Sequence, residues 1–170
     1  MFVLHTPRLL LREFDPGDAA FILGLLNEPS FIENIADKGV RTLEQAEAYL
    51  RTGPMDSYAR RGHGLWAVVE KASGLPAGMC GLIKRDAFLD VDLGYAFLPA
   101  FWGRGLALEA AMACCGHARD AMGLRRLIAI VTPTNGPSIR LLGKLDFHPA
   151  GTTRMDPDPA ELALYARDFS

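Results

Sequence analysis

Apolar positions along the chain follow two rhythms, and the switches between them lay out an alternating order of strands and helices. Leu9, Leu10 and Leu11, flanked by Arg8 and Arg12, place a first strand within residues 6–14. Asp15-Pro16-Gly17-Asp18 offers an N-cap and a first-turn proline for a helix reaching about Asn27, where Glu28-Pro29 stops it. A loop is expected over 30–41. Thr42 and Gln45 then have the spacing of a capping box that opens a second helix, to about Arg61. Leu65, Ala67 and Val69 alternate with Trp66, Val68 and Glu70, and a turn at 72–74 leads into 77–84, which predicts a hairpin. A strand over 90–98, a long helix over 103–122 with Gly123 as its stop, and a β-branched strand over 126–132 come next. Asn135 and Pro137 start a short helix to about Leu145, and strands are expected at 147–153 and 162–168.

The order β-α-α-β-β-β-α-β-α-β-β predicts an α/β (α+β) fold with a mixed, mostly antiparallel sheet of about seven strands flanked by about four helices. Its one right-handed βαβ crossover spans 90–132. The chain shows no repeat, low-complexity tract or linker, so residues 1–170 are expected to form a single domain.

A formal net charge of −2 gives no bulk attraction to nucleic acid or to an acidic membrane, and neither is expected as a partner. No apolar run approaches the ~18 residues of a membrane span, and the start of the chain lacks a signal-peptide layout, so a cytoplasmic location is expected. Cys80, Cys114 and Cys115 have neither disulfide nor metal-ligand spacing, and they read as buried small hydrophobes. His5, His63, His117 and His148 form no metal pattern, so no metal site is expected.

The chemistry begins at Pro99–Glu109, where Gly103 and Gly105 separate a strand from a long helix. A helix that starts in a glycine turn presents backbone N–H groups without intrahelical partners, at the positive end of its dipole. Such a start suits a phosphate, and Arg104 adds a cation between the glycines. A tight strand-to-helix turn with no ligand is the plainer reading of the same glycines. Leu108 stands where a dinucleotide fingerprint needs a third glycine, and the Gly-Lys-Ser/Thr of a P-loop is absent.

Residues further along the chain narrow the ligand. After Phe101-Trp102-Gly103-Arg104-Gly105-Leu106-Ala107-Leu108-Glu109-Ala110 come Asn135, Ser138, Leu145 and Phe147. This order resembles the GNAT superfamily of acyl-CoA-dependent N-acetyltransferases. It is most similar to the branch of the ribosomal-protein alanine N-acetyltransferases, as is the opening Thr-Pro-Arg-Leu-Leu-Leu-Arg. Asp146 departs from the glycine expected before Phe147. The resemblance implies acetyl-CoA as co-substrate, held in a slot opened by a splayed sheet. It assigns the pantetheine to the strand backbone at Tyr95, Ala96, Phe97 and Leu98. It assigns the pyrophosphate to Trp102, Gly103, Arg104, Gly105, Leu106 and Ala107, with contact at 102 through the backbone only. Asn135 would add a side-chain hydrogen bond to the cofactor, besides its plainer role as a helix N-cap.

Acetyl transfer to an amine needs a route for the amine proton and a donor for the leaving thiolate. Superfamily members often place a tyrosine donor four residues beyond the Ser138 position, which here is Leu142. Ser138 remains as the candidate, through hydrogen bonding to the thiolate and to the cofactor. Asp90 and Asp92 are the candidate bases, because their i, i+2 spacing puts both on one face of a strand. Glu109 is read as structural. The resulting expectation is transfer of acetyl from acetyl-CoA to a primary amine, a protein N-terminus or a small molecule. The alternative is a non-catalytic acyl-CoA sensor, motivated by the absent tyrosine. The acceptor and the oligomeric state, monomer or homodimer, stay open.

Overall fold

The computed structural model describes residues 1–170, apart from the side chain of Val3. The first strand expected from sequence is a short hairpin, β1 (Val3–His5) and β2 (Leu9–Arg12), turned by Thr6, whose backbone N–H donates to the Leu9 carbonyl. A single 3-10 turn, Pro16–Asp18, leads into α1 (Ala19–Leu26), and Asp15 and Asp18 form a reciprocal capping box around that turn. The helix ends before Pro29 as expected, and Pro29 also occupies the first turn of a further short helix, α2 (Pro29–Asn34), because a proline needs no N–H there. The loop is therefore shorter than expected. Thr42 and Gln45 cap α3 (Leu43–Leu50) as the sequence spacing predicts. The expected second helix does run to Arg61, but a π-helical turn at Arg51–Met55 separates α3 from α4 (Asp56–Arg61). Pro54 lies inside that turn and cannot donate to a regular ladder, and the wider turn absorbs the missing bond.

The remaining elements keep the expected order. They are β3 (Leu65–Glu70), β4 (Pro76–Ile83), β5 (Val91–Phe97), α5 (Leu106–Asp120), β6 (Arg126–Val131), α6 (Gly136–Lys144), β7 (His148–Thr153) and β8 (Leu162–Asp168). They form one eight-stranded sheet in the order β1-β2-β3-β4-β5-β6-β8-β7. Every neighbouring pair is antiparallel except β5 and β6. The sheet thus has one strand more than expected, because three residues ahead of the expected first strand, Val3–His5, pair with it.

The β5–β6 pair positions the site. Its register contains only Val91 with Leu127 and Asp92 with Ile128. Beyond that point β5 stays paired with β4 as far as Phe97, and β6 stays paired with β8 as far as Val131. The two central strands therefore diverge, and the sheet opens as a V. Alternation along β5 sends Leu93, Tyr95 and Phe97 toward the core under α5 and α6. Ala96 packs with Met79 in a second core, under α1 and α3. Cys80, Cys114 and Cys115 are all free and buried, in line with the sequence reading.

The turn before β7 also accommodates the departure at 146. Asp146 takes φ +63, the left-handed conformation that a glycine would adopt, and its N–H donates to the Gly143 carbonyl at 3.2 Å. Aspartate tolerates that region better than most residues. Asp146→Gly should therefore stabilise the fold by about 1 kcal/mol. A differential scanning calorimetry trace should show a Tm rise of about 2–4 °C.

Candidate active site

The V between β5 and β6 is a cleft of about 810 Å³, bounded by β5, the start of α5, the β6–α6 loop and the α1–α3 side of the sheet. One arm is the glycine turn. Gly103 has φ +73 and Gly105, the N-cap of α5, has φ +75, values that side-chain-bearing residues rarely adopt. Among the described residues, no backbone N–H from Gly103 to Leu108 donates to a protein acceptor; the next, Glu109, reaches the Gly105 carbonyl at 3.1 Å. Nothing within 4 Å would meet a Cβ at Gly103, and at Gly105 only the Arg8 Nη2 comes near, at 3.5 Å. The turn is an open cradle of unpartnered donors at a helix start, which suits a pyrophosphate.

Residues outside the cradle hold its shape. Arg8 donates from Nε to Glu109 at 2.7 Å and from Nη1 to the Arg104 carbonyl at 2.8 Å, tying β2 to the turn. Glu109 thus acts structurally, as its position in sequence suggests. Arg104 does not face the cleft: its guanidinium pairs with the buried Glu70 and lies 6.0 Å from the Phe101 ring centre. The mobile cation expected from sequence is committed to Glu70, 34 residues earlier, a pairing that local sequence does not reveal. Trp102 lines the cleft, and its indole N–H donates to the Phe97 carbonyl at 2.9 Å.

Of the remaining expected cofactor residues, Tyr95, Ala96, Phe97, Gly103, Gly105, Leu106, Ala107, Asn135 and Ser138 all line the cleft. Leu98 does not; it packs against the second core instead. Asn135 caps α6, its Oδ1 accepting from the Ser138 N–H at 3.3 Å. Its Nδ2 makes no hydrogen bond among the described residues.

The two candidate bases separate. Asp90 lies before β5, half-exposed, 3.5 Å from the Arg126 Nε and away from the cleft. The i, i+2 spacing holds in sequence, but the cleft opens only past the Asp92–Ile128 pair. Asp92 is 1% exposed and lines the cleft. Its Oδ2 accepts from the Arg85 Nε at 2.8 Å, whereas Oδ1 has no partner at hydrogen-bond distance. Burial pushes the Asp92 carboxyl up from its ordinary value near 3.8 to about 6, against the opposing pull of Arg85 and of the nearby Ile130 amide.

Ser138 is joined by a residue that sequence assigned only through its backbone. The Tyr95 hydroxyl lies 2.6 Å from the Ser138 Oγ, spanning from β5 to α6. Burial raises the Tyr95 phenol well above its ordinary range, with Ser138 opposing and the Asp92 charge adding to the rise. Leu142, where the resembling family often has tyrosine, is fully buried in the core. Asp92 and Tyr95 are three residues apart on β5, so their side chains leave opposite faces of the strand. The cleft therefore has a carboxylate on one side and a hydroxyl pair on the other.

Arg85 and Lys38 also line the cleft; sequence did not single out Arg85, and it read Lys38, on the 30–41 loop expected to help grip the acceptor, as solvent-facing. Arg85 had one available signal: continuing the hairpin beyond the Ile83–Asp92 pair brings its loop back over Asp92. Lys38 lies on an irregular segment with no periodic signal.

The fold and the cleft together define an acyltransferase. Residues 8–148 match the acetyltransferase (GNAT) domain model, and the chain belongs to that family. It is 29% identical over 169 residues to the uncharacterized protein YkkB of Bacillus subtilis (strain 168), covering 96% of this chain and 94% of that one. A putative GNAT-family acetyltransferase from Bordetella pertussis has the same fold, with TM-score 0.81, 24% identity and coverage of 98% and 99% of the two chains. So does RimL, a ribosomal L7/L12 alpha-N-protein acetyltransferase solved in complex with coenzyme A, with TM-score 0.85, 16% identity and coverage of 98% of each chain. No helix among the described residues is long and apolar enough to cross a membrane.

Proposed function

We propose that the chain works as one domain over residues 1–170 and moves an acetyl group from acetyl-CoA to a primary amine, by direct attack in a ternary complex. The observation that carries this reading is the cleft where β5 and β6 part: unpartnered amides at one end, Asp92 on one side and Ser138–Tyr95 on the other. Amides of the Gly103–Leu108 turn take the pyrophosphate. The β5 edge freed at Gly94–Phe97 offers backbone groups to the pantetheine amides, as an added strand would. The Asn135 Nδ2 is free to donate to the same arm. That the structural neighbour RimL was solved in complex with coenzyme A supports a coenzyme A ligand for this fold.

Acetyl-CoA supplies an activated thioester carbonyl. Asp92, ionised, accepts a hydrogen bond from the amine and draws its proton as the amine attacks. On the opposite side the Tyr95 hydroxyl donates to the Ser138 Oγ, leaving the serine O–H free to donate to the departing sulfur. A lone serine is a poor acid, and the relay from a second hydroxyl strengthens its donation. Thiol release with acetyl-CoA across chemically diverse amines tests the reading: sustained turnover supports it and excludes a non-catalytic sensor. Cofactor binding without turnover on any amine would leave the sensor reading instead.

Ser138→Ala and Tyr95→Phe should each lower kcat about tenfold. The double variant should fall little further, since both remove one relay. Multiplicative losses in a steady-state assay would show that the hydroxyls act separately.

A further inference from the structure

The cleft also constrains the acceptor, on the premise that Asp92 receives the amine. Asp92 is the one carboxylate that lines it among the described residues. At the end away from the cradle two cations line the same space, Lys38 from the loop after α2 and Arg85 from the loop after β4. Arg85 engages Asp92 through Nε alone, and its two Nη groups have no hydrogen-bond partner among the described residues. Lys38 forms no ion pair with a carboxylate among the described residues. Burial first, and the Arg85 charge second, hold the Lys38 ammonium below its ordinary range. Between these polar groups the wall is apolar and aromatic, built from Phe31, Tyr49, Leu65 and Met79.

These positions set the charge balance. One carboxylate against two cations leaves an excess positive charge at this end. An incoming ammonium that takes the free Asp92 Oδ1 adds another, beside a buried carboxylate and against a largely apolar wall. A simple amine or a polyamine worsens that balance. A ligand carrying its own carboxylate corrects it, and the planar Nη pair of Arg85 matches a carboxylate in bidentate geometry.

We propose that the acceptor is a primary amine whose apolar body bears a carboxylate, with the amine on Asp92 Oδ1 and the carboxylate between the Arg85 Nη groups and Lys38. The reaction is acetyl transfer: the bound ammonium first gives one proton through Asp92 to solvent. The neutral amine nitrogen forms the amide bond as the thioester C–S bond breaks, and its second proton leaves through Asp92. The thiolate takes a proton from the Ser138–Tyr95 hydroxyl pair, which solvent replenishes, so that one proton is released overall. Nothing besides acetyl-CoA is consumed. This inference rests on the acetyl-transfer reading, and the experiment separates the two.

Thiol release by the full chain with acetyl-CoA is compared for matched pairs: phenylalanine, leucine, 6-aminohexanoate and 4-(aminomethyl)benzoate, each beside its neutral amide. The best acid should exceed its amide by at least about tenfold in kcat/KM. That preference should shrink to within about threefold in Lys38→Gln and in Arg85→Gln, with acetyl-CoA affinity kept. Amides that match or exceed their acids throughout overturn the proposal, as does an acid preference that survives in both variants. Calorimetric binding of the same panel to the CoA-loaded protein keeps the inference independent of turnover. Acids that bind more tightly than their amides without reacting support the site and refute acetyl transfer. Binding by none of the acids refutes the site.

Discussion

Gly105→Glu should weaken acetyl-CoA binding by at least about a hundredfold while the protein stays folded. Two effects act at that position, and they separate. The backbone cost comes from φ +75, a left-handed conformation that costs an L-residue ~1–2 kcal/mol. That cost falls on stability, since the free protein already holds this conformation and pays it before any ligand binds. The binding cost comes from charge. A carboxylate about 5 Å from a pyrophosphate charge, at the effective dielectric of about 20 near a protein surface, opposes it by about 3 kcal/mol. The new carboxylate also has a partner close by, because the Arg8 Nη2 lies 3.5 Å from the site of the added Cβ. Capturing Arg8 would pull it from the Arg104 carbonyl and loosen the cradle. Gly105→Ala supplies the control, with the strain and without the charge. Isothermal titration calorimetry should place the alanine variant much nearer the parent than the glutamate variant. A glutamate variant that binds acetyl-CoA within about threefold of the parent would sink the pyrophosphate assignment.

That assignment shows what local sequence can carry. Gly103 and Gly105 are legible because their requirement is local: both need positive φ, and both sit where a strand meets a helix. The caps at Asp15, Thr42 and Asn135 are legible for the same reason, as each satisfies an amide two or three residues on. Arg104 shows the limit. Its sequence neighbours suggest a cation in the cradle, and a buried acid from β3 takes it away. The choice between Asp90 and Asp92 is another tertiary fact. A two-residue strand period cannot say at which pair the neighbouring strand departs, and that pair decides which carboxylate meets the cleft. The Tyr95–Ser138 contact joins residues 43 apart, so a tyrosine missing from α6 gave no hint of a phenol supplied by β5. The overall order of strands and helices survived because periodicity reports burial directly. The added β1 and α2 are too short to build a period.

Asp92→Asn should lower kcat by about a hundredfold to a thousandfold, in the range of a lost general base, with acetyl-CoA affinity nearly unchanged. The same substitution should make the fold less sensitive to pH. With its carboxyl pushed up to about 6 from an ordinary value near 3.8, Asp92 holds a proton in the folded chain at a pH where the unfolded chain has lost it. Its contribution to stability is therefore fully present below about 3.8 and is lost as pH rises through about 6. A shift of this size corresponds to about 3 kcal/mol against folding at neutral pH, on the linkage of ~1.4 kcal/mol per unit. Asparagine removes that loss, although it also leaves Arg85 without its carboxylate. Urea unfolding between pH 4 and 8 should then show the parent losing stability across the window and the variant staying flatter. Activity runs the opposite way. Arg85 and the Ile130 amide favour the ionised carboxylate, and the proposed reaction needs that ionised form. The kcat/KM profile of the parent should rise with pH to a plateau above about 6, and the variant should lack that limb. The group that weakens the fold at neutral pH is thus the one the proposed chemistry needs charged, a conflict expected of a catalytic carboxylate and not of a structural ion pair. A variant with kcat within about threefold of the parent would remove Asp92 from the mechanism. A parent whose stability is flat across the same window would remove the raised carboxyl.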